Sequence, residues 1–190
     1  KGFKLFSVSG DCSRPGLYEL PWGASVSELL ALVGGENAKA VQIGGYSGRL
    51  VPYTAFSRQL AYEDLGAGSS VIIYSFARDL VEVAENYLEF FVDESCGQCT
   101  PCREGTNWMY QIVHRIEKGE GRMDDIAVLD NIASRISGNT ICALGDAAAA
   151  PVESFIKRFR DEFVYHIEHK QCLVPHDVQR AGSGFFKATV

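Results

Sequence analysis

The chain has 190 residues, a hydrophobic fraction of 46% and a formal net charge of −6. A chain of this length and composition can bury a hydrophobic core, and its acidic balance argues against nucleic acid as a partner. No apolar run approaches the ~20 residues of a membrane span, and the first residues lack the apolar core of a signal peptide. We therefore expect a globular, cytoplasmic protein of one or two domains with no direct membrane insertion.

The first part of the chain has the pattern of a small sheet domain. A predicted helix starts at the capping box of Ser25 and Glu28 and ends at Gly34 and Gly35. Short strand-like runs bounded by glycine and proline surround it: KLFSVSG, GLYELP, AVQIGG, GRLVPY and SSVIIYSF. This order predicts an α+β domain of about 75 residues, with the helix across one face of the sheet.

Helical periodicity replaces the strand pattern after Phe76. The first predicted helix has a capping box at Asp79 and Glu82, and the second begins after Thr100 as N-cap with Pro101 in its first position. A third spans about 124–136, and a fourth reaches about residue 163. Because Pro151 fits best in a first turn, the alanines before it are expected to form a separate short turn. Four helices of these lengths predict an antiparallel bundle.

Three cysteines with two-residue spacers lie between the first two helices of this bundle. Cys96, Cys99 and Cys102 are expected beside the exposed N–H groups and positive dipole of a helix start, which favours thiolates. A C-x2-C-x2-C run can supply three ligands of a cubane [4Fe–4S] cluster. Cys142, in the loop before the fourth helix, is the best candidate for the fourth ligand. Arg103 and the N–H groups near Thr100 are expected to tune the cluster's potential.

Two other chemistries fit these cysteines less well. Structural zinc usually takes its ligands as two separated pairs, and a redox C-x2-C site would leave the third thiol unused. Both alternatives stay open at this stage. Cys12 lies in a turn of the first domain and is interpreted as an incidental small residue. The glycine-rich stretch IGGYSG lacks the strand-to-helix setting of a nucleotide-binding loop and is interpreted as a turn.

The C-terminal segment raises a second metal question. Its candidate ligands are four side chains within eleven residues: His166, His169, Cys172 and His176. Four ligands from one short segment would be strained around a single ion. We interpret the segment as a polar helix end whose cations suit the helix dipole, with zinc binding as the alternative.

The motifs FFVDESCGQCTPCREG and GNTICALGDAAAAPV resemble the C-terminal half of the NADH-oxidising flavoprotein subunit of respiratory complex I. The resemblance extends to the diaphorase subunits of NAD-reducing hydrogenases and NAD-dependent formate dehydrogenases. It implies a β-grasp, soluble-ligand-binding (SLBB) domain at 1–77, then an all-α four-helix bundle iron–sulfur domain at 78–165 and a C-terminal tail at 166–190. It also implies that Cys96, Cys99, Cys102 and Cys142 bind the [4Fe–4S] cluster.

The resemblance also implies partners and cofactors outside this chain. Family members assemble with a thioredoxin-like [2Fe–2S] subunit and a further iron–sulfur subunit, and only through such a complex would the chain lie beside the inner membrane. FMN and NAD bind in the full subunit, in a domain with a glycine-rich loop, and this sequence has no G-x-G-x-x-G stretch. We therefore expect an electron-relay portion that does not oxidise NADH alone. The alternative is a non-catalytic, partner-binding module with structural zinc.

Overall fold

The computed structural model describes residues 2–66 and 68–174 and separates into two compact units. The first unit ends at Arg78 and the second begins at Asp79. A mixed five-stranded sheet and five helices make up the described part, which is an α+β fold. Along residues 2–66 and 68–174, no helix has both the length and the apolarity needed to cross a bilayer.

The first unit is a sheet with one helix. Its strands are β1 (Phe3–Gly10), β2 (Gly16–Pro21), β3 (Ala38–Ile43), β4 (Arg49–Pro52) and β5 (Ser70–Ser75). They lie in the order β2-β1-β5-β3-β4, and only β1 and β5 are parallel neighbours. The IGGYSG stretch forms the tight turn from β3 to β4, as predicted, with Gly44 and Gly45 at positive φ.

Alternation along the strands places the core of this unit on the side of helix α1 (Val26–Val33). Phe6 and Val8 of β1 are buried, whereas Leu5 and Ser7 point away and are exposed. The predicted capping box at the start of α1 is confirmed: Ser25 Oγ accepts from the Glu28 N–H, and Glu28 accepts from the Ser25 N–H. The core combines α1 with the inward residues of the sheet: Phe6, Val8, Val26, Leu29, Leu30, Val33, Val41, Val71 and Ile73.

The second unit consists of four helices that pack on one another. They are α2 (Leu80–Glu94), α3 (Thr100–Glu117), α4 (Asp124–Ile136) and α5 (Leu144–His169). Helix α2 packs against α3 and α5, and α4 also packs against α3 and α5. The apolar stripes expected from the sequence face this interior, where Tyr87 and Phe155 meet edge to face at 6.0 Å.

Helix α5 differs from the sequence prediction at both ends. Its alanines do not form a separate turn: the helix begins at Leu144 and includes Pro151. The missing N–H of Pro151 loses one hydrogen bond near the helix start, and the preceding alanines favour helix strongly. The backbone becomes non-helical only at Phe159, with φ −132° and ψ 32°. The helix then continues to His169, so residue 166, where the tail was expected to begin, lies in its last turn.

The starts of α2 and α3 also differ in detail. Cys99, not Thr100, is the N-cap of α3, and Pro101 therefore takes the second helical position. Asp79 caps α2 by accepting a hydrogen bond from the Val81 N–H. The expected partner Glu82 has one buried oxygen with no hydrogen-bond partner among the described residues.

Candidate metal centre

The loop from α2 to α3 presents the three closely spaced cysteines. Gly97 turns the chain at φ +78°, and Cys99 then begins α3. This order places Cys99 and Cys102 around the amino end of an 18-residue helix, where N–H groups and the helix dipole favour negative charge. Cys102 is buried, Cys99 is half-buried and Cys96 is exposed. The loop therefore holds its three thiols at different depths.

A second loop, between α4 and α5, carries Cys142. It is fixed at its start by a 2.7 Å hydrogen bond from the Gly138 N–H to Asp146 in the first turn of α5. Thr140 Oγ1 donates to the carbonyl of Cys142 at 2.9 Å. These two bonds hold the backbone around Cys142, whose side chain is exposed.

All four predicted ligands line the same cavity. The cavity has a volume of about 130 Å³, and its walls are Glu94, Ser95, Cys96, Gln98, Cys99, Cys102, Thr140, Cys142 and Leu144. A hydrogen bond of 3.4 Å from the Ile141 N–H to Cys99 Sγ links the two loops directly. No disulfide joins any of the six cysteines, which all lie in the described residues. The structure thus brings together thiols that are some forty positions apart in the sequence.

No three of these four sulfurs are as close together as the ligands of a single zinc ion. Four sulfurs around one zinc ion lie about 3.8 Å from one another, because the Zn–S bond is about 2.3 Å long. Among the described residues, one group alone brings three metal-ligand atoms within 4.8 Å of one another, and it is not formed by these cysteines. A cubane cluster holds its cysteines farther apart, since each thiolate binds a different iron.

The polar groups at the sulfurs differ from those expected. The N–H that reaches Cys99 comes from Ile141 in the opposite loop, and Ser95 Oγ lies 3.4 Å from Cys102 Sγ. Arg103 binds the carbonyl of Gly97 at 2.6 Å and the carboxylate of Glu104 at 2.9 Å. The bond to Gly97 closes the cysteine loop. That Arg103 tunes the potential of the cluster stays a prediction.

The two remaining cysteines lie elsewhere. Cys12 packs in the core of the first unit, where burial raises the pKa of its thiol. Cys172 follows α5 and contacts Glu117 Oε1 at 2.9 Å. Burial first, and then the nearby Glu117, raise the pKa of Cys172 to about 12.

The structure separates His169 from His166 and Cys172, the other described members of the C-terminal histidine–cysteine group. His166 is fully buried, and its Nε2 lies 2.8 Å from Asp79 Oδ2. His169 is exposed, stacks on the ring of Tyr165 and lies 3.1 Å from that residue's carbonyl. His176 lies outside the described residues. Of the grouped residues, His166 and Cys172 therefore stay close together, and the residue that joins them is Asp79.

The acidic neighbours of His166 are not evident from the sequence. The sequence pattern predicts only a capping role for Asp79 and indicates no role for Glu117 or Glu162. Glu117 Oε2 lies 3.4 Å from His166 Nδ1, and Glu162 accepts a bond from the Leu80 N–H. The local sequence marks Glu117 and Glu162 in one way only, as charged residues beside the apolar stripes of α3 and α5. This signal cannot show that residues of three helices converge.

Comparison with known proteins matches both units. Residues 82–166 match the family model of the NADH-ubiquinone oxidoreductase-F iron-sulfur binding region, and residues 5–50 match that of the SLBB domain. The first match contains Cys96, Cys99, Cys102 and Cys142. The cavity therefore lies within a region that is similar to known iron–sulfur proteins.

Longer relatives share most of this chain. The NADH-quinone oxidoreductase F 2 subunit of Rhizobium meliloti is 41% identical over 182 residues, which are 90% of this chain and 43% of the relative. The alpha subunit of the NAD-reducing hydrogenase HoxS of Cupriavidus necator is 36% identical over 98% of this chain and 32% of its own length. The chain spans less than half the length of these relatives.

Solved structures give the same assignment. A crystal structure of an NAD+-reducing [NiFe]-hydrogenase in the H2-reduced state matches with a TM-score of 0.80 and 34% identity. The match covers 90% of this chain and 30% of the hydrogenase chain. The air-oxidised state of an NAD+-reducing [NiFe]-hydrogenase also gives a TM-score of 0.80, at 32% identity over 96% of this chain and 33% of the hydrogenase chain. The chain is therefore a homologue of part of the NADH-quinone oxidoreductase F subunits and of related NAD-reducing hydrogenase subunits, and it contains a match to their iron–sulfur binding region.

Proposed function

We propose that the chain is the iron–sulfur electron-relay portion of an NADH-linked flavoprotein oxidoreductase subunit. The observation that carries this proposal is the convergence of Cys96, Cys99, Cys102 and Cys142 on one cavity within the matched iron–sulfur binding region. In this proposal FMN and NAD bind to the full subunit, outside the described residues. The chain's own role is to hold a cluster and to set its surroundings.

The donor set fits a [4Fe–4S] cluster. Four cysteine sulfurs are the usual ligands of such a cluster, and their wide spacing here argues against a mononuclear zinc site. When bound, a [4Fe–4S] cluster accepts and passes on one electron at a time. The protein groups around the cluster bind it, orient it and set its electrostatic surroundings, as for any cofactor that carries the electron chemistry itself.

The groups around the four cysteines stabilise the negative charge that a bound cluster gains when it is reduced. The Ile141 N–H donates to Cys99 Sγ, Cys99 is the N-cap of α3, and Cys102 lies in its first turn. Hydrogen bonds to sulfur and a positive helix end both stabilise a reduced cluster and raise its potential. The buried Cys102 excludes water on one side, while the exposed Cys96 and Cys142 leave the other side open to a redox partner.

The domain organisation is part of the same proposal. We assign residues 1–77 to a β-grasp SLBB domain, which the match to residues 5–50 supports, and residues 78–165 to a four-helix bundle around the cluster. Residues from 166 onward form the C-terminal part. The expected partners are a thioredoxin-like [2Fe–2S] subunit and a further iron–sulfur subunit of a cytoplasmic or membrane-attached complex.

Anaerobic reconstitution with iron and sulfide tests the ligand assignment. The wild-type chain should bind four irons and give a paramagnetic signal on reduction. Serine at any of the four cavity cysteines should abolish or degrade this cluster, whereas Cys12→Ser is the matched control and should keep it. A Cys142→Ser variant with a full four-iron cluster and an unchanged EPR signal would refute the fourth ligand. A colourless zinc protein would favour the non-catalytic alternative.

Electron acceptors of two kinds test the relay. The chain alone should not reduce ferricyanide with NADH. After fusion to the N-terminal part of a family member, which supplies the flavin site, it should pass electrons to acceptors that draw from the cluster. Cys99→Ser should stop that transfer but leave ferricyanide reduction, because ferricyanide can take electrons directly from flavin. Equal loss of both activities, with flavin still bound, would contradict the relay.

A further inference from the structure

A second cluster of metal-binding side chains lies apart from the four-cysteine cavity. Asp79 is the N-cap of α2, His166 is in the last turn of α5, and Cys172 follows that helix. Each offers a ligand atom, and these atoms lie within 4.8 Å of one another. Among the described residues, this is the one group of three that meets that distance.

The cluster is buried and carries more acidic than basic groups. The side chains of Asp79 and His166 are fully buried, and that of Glu117 is only 7% exposed. Glu162, also buried, acts electrostatically on the same imidazole. Three carboxyl groups thus lie near one histidine. Carboxylates in such a buried setting are suitable neighbours for a divalent cation.

The orientation of His166 fits a metal ligand. Its Nδ1 faces Glu117 Oε2 at 3.4 Å, yet neither atom has a hydrogen-bond partner among the described residues. When Nε2 of a histidine binds a metal, Nδ1 carries the proton and usually donates it to a carboxylate. Glu117 stands where that carboxylate is needed. With a metal ion on Nε2, His166 Nδ1 would donate its proton to Glu117 Oε2, so that both atoms would have a partner.

The distances require only a small adjustment. Asp79 Oδ2 and His166 Nε2 are 2.8 Å apart, whereas two ligands about 2.0 Å from a tetrahedral zinc ion lie about 3.3 Å apart. A shift of about 0.5 Å would bring this pair to the spacing of zinc ligands, and Cys172 Sγ lies within 4.8 Å of both atoms. The Leu173 N–H already donates to Asp79 Oδ2 at 3.1 Å and orients the carboxylate.

We propose that Asp79, His166 and Cys172 bind a zinc ion that ties the end of α5 to the start of α2. One nitrogen, one sulfur and one oxygen are typical zinc ligands, whereas magnesium and calcium prefer oxygen alone. In this site Glu117 accepts from the ligating imidazole, and the fourth coordination position is left to water or a further donor. This inference goes beyond the electron relay and does not depend on it.

Metal analysis of the full chain separates the two sites. After incubation with ZnCl2 and removal of excess metal, the cluster-loaded wild type should hold one zinc in addition to its iron. Cys172→Ser and His166→Gln should lose the zinc and keep the iron. Cys99→Ser should lose iron and keep zinc at the second site. His169→Gln, an exposed histidine on the same helix turn, is the matched control and should keep both metals.

X-ray absorption at the zinc edge gives a second readout that does not depend on variant stability. The proposed site predicts one sulfur at about 2.3 Å, with nitrogen and oxygen ligands at about 2.0 Å. Because Cys172 is only half-buried, its serine variant tests the site even if His166→Gln unfolds. A wild type that binds no zinc, zinc retained by Cys172→Ser, or a sulfur-only shell would overturn the proposal.

Discussion

Substitution of Gly105 by alanine tests whether α3 and α4 are packed as tightly beside the cluster loop as the structure indicates. Gly105 is buried one turn after Cys102. A Cβ at this position would lie 2.6 Å from Cδ1 and 2.8 Å from Cγ1 of Ile136 on α4. Ile136 is only 1% exposed and has little room to move. The close contact therefore opposes the ordinary preference of helices for alanine.

The sign of the effect decides between these two contributions. Helix propensity alone would make Gly105→Ala stabilising by about 1 kcal/mol. Overpacking a filled core costs about 1–3 kcal/mol. We expect a net loss of about 1 kcal/mol in the free energy of unfolding of the helical unit. A gain of about 1 kcal/mol would refute the packing argument.

A double-mutant cycle identifies the contact. Ile136→Val removes Cδ1 and alone should cost about 1 kcal/mol, but combined with Gly105→Ala it should cost about 1 kcal/mol less than the sum. Ile126→Val is the matched control, because Ile126 is also buried on α4 but lies about 15 Å along the helix from Ile136. Its combination with Gly105→Ala should be additive. Equal coupling for both pairs would contradict the assigned contact.

The assay follows helical circular dichroism during denaturant unfolding, at equal iron content for every variant. Helix α1 has eight residues, whereas each of α2–α5 has between 13 and 26, so this signal reports mainly on the second unit.

Three further predictions concern the second cysteine loop and the sheet unit. Gly145→Ala should lower iron retention, measured as iron per chain after gel filtration, because its Cβ would lie 2.6 Å from Thr140 in the Cys142 loop; unchanged retention would contradict this. Asp11 accepts bonds from Arg78 and Ser75; burial alone would raise its pKa, but these bonds outweigh burial and lower it. The stabilisation of the fold by Asp11 should be complete above the unfolded-state pKa of about 3.9 and disappear as pH falls through the lower folded-state pKa. Asp11→Asn should therefore lower the free energy of unfolding, measured with urea, by about 2 kcal/mol at neutral pH and by progressively less in acid. Ser25→Ala should cost about 1 kcal/mol by loss of the capping box, and a neutral result in the same assay would exclude that role.

Local patterns in the sequence predicted most elements of the fold. The five strand-like runs correspond to β1–β5, and the third predicted helix of the second unit has the bounds of α4. The capping box of Ser25 and Glu28 is confirmed as well. These features could be predicted because they rest on hydrogen bonds and side-chain periodicity within a few residues. Pro151 shows where that reasoning fails, since the helix propensity of the preceding alanines and the burial of this part of α5 together outweigh one lost hydrogen bond.

The sequence by itself also determined the kind of donor atoms at the first site, because three cysteines at two-residue spacing belong to one loop and one helix start. Only the tertiary structure decided which distant groups join them: the packing of α4 and α5 on α3 brings Cys142 and the Ile141 N–H to the same cavity. The cluster of Asp79, Glu117, His166 and Cys172 depends on tertiary structure even more, because its members come from three helices and a following segment. Sequence periodicity fixes which face of each helix is buried, but the angle and depth at which helices pack decide which polar groups on those faces meet.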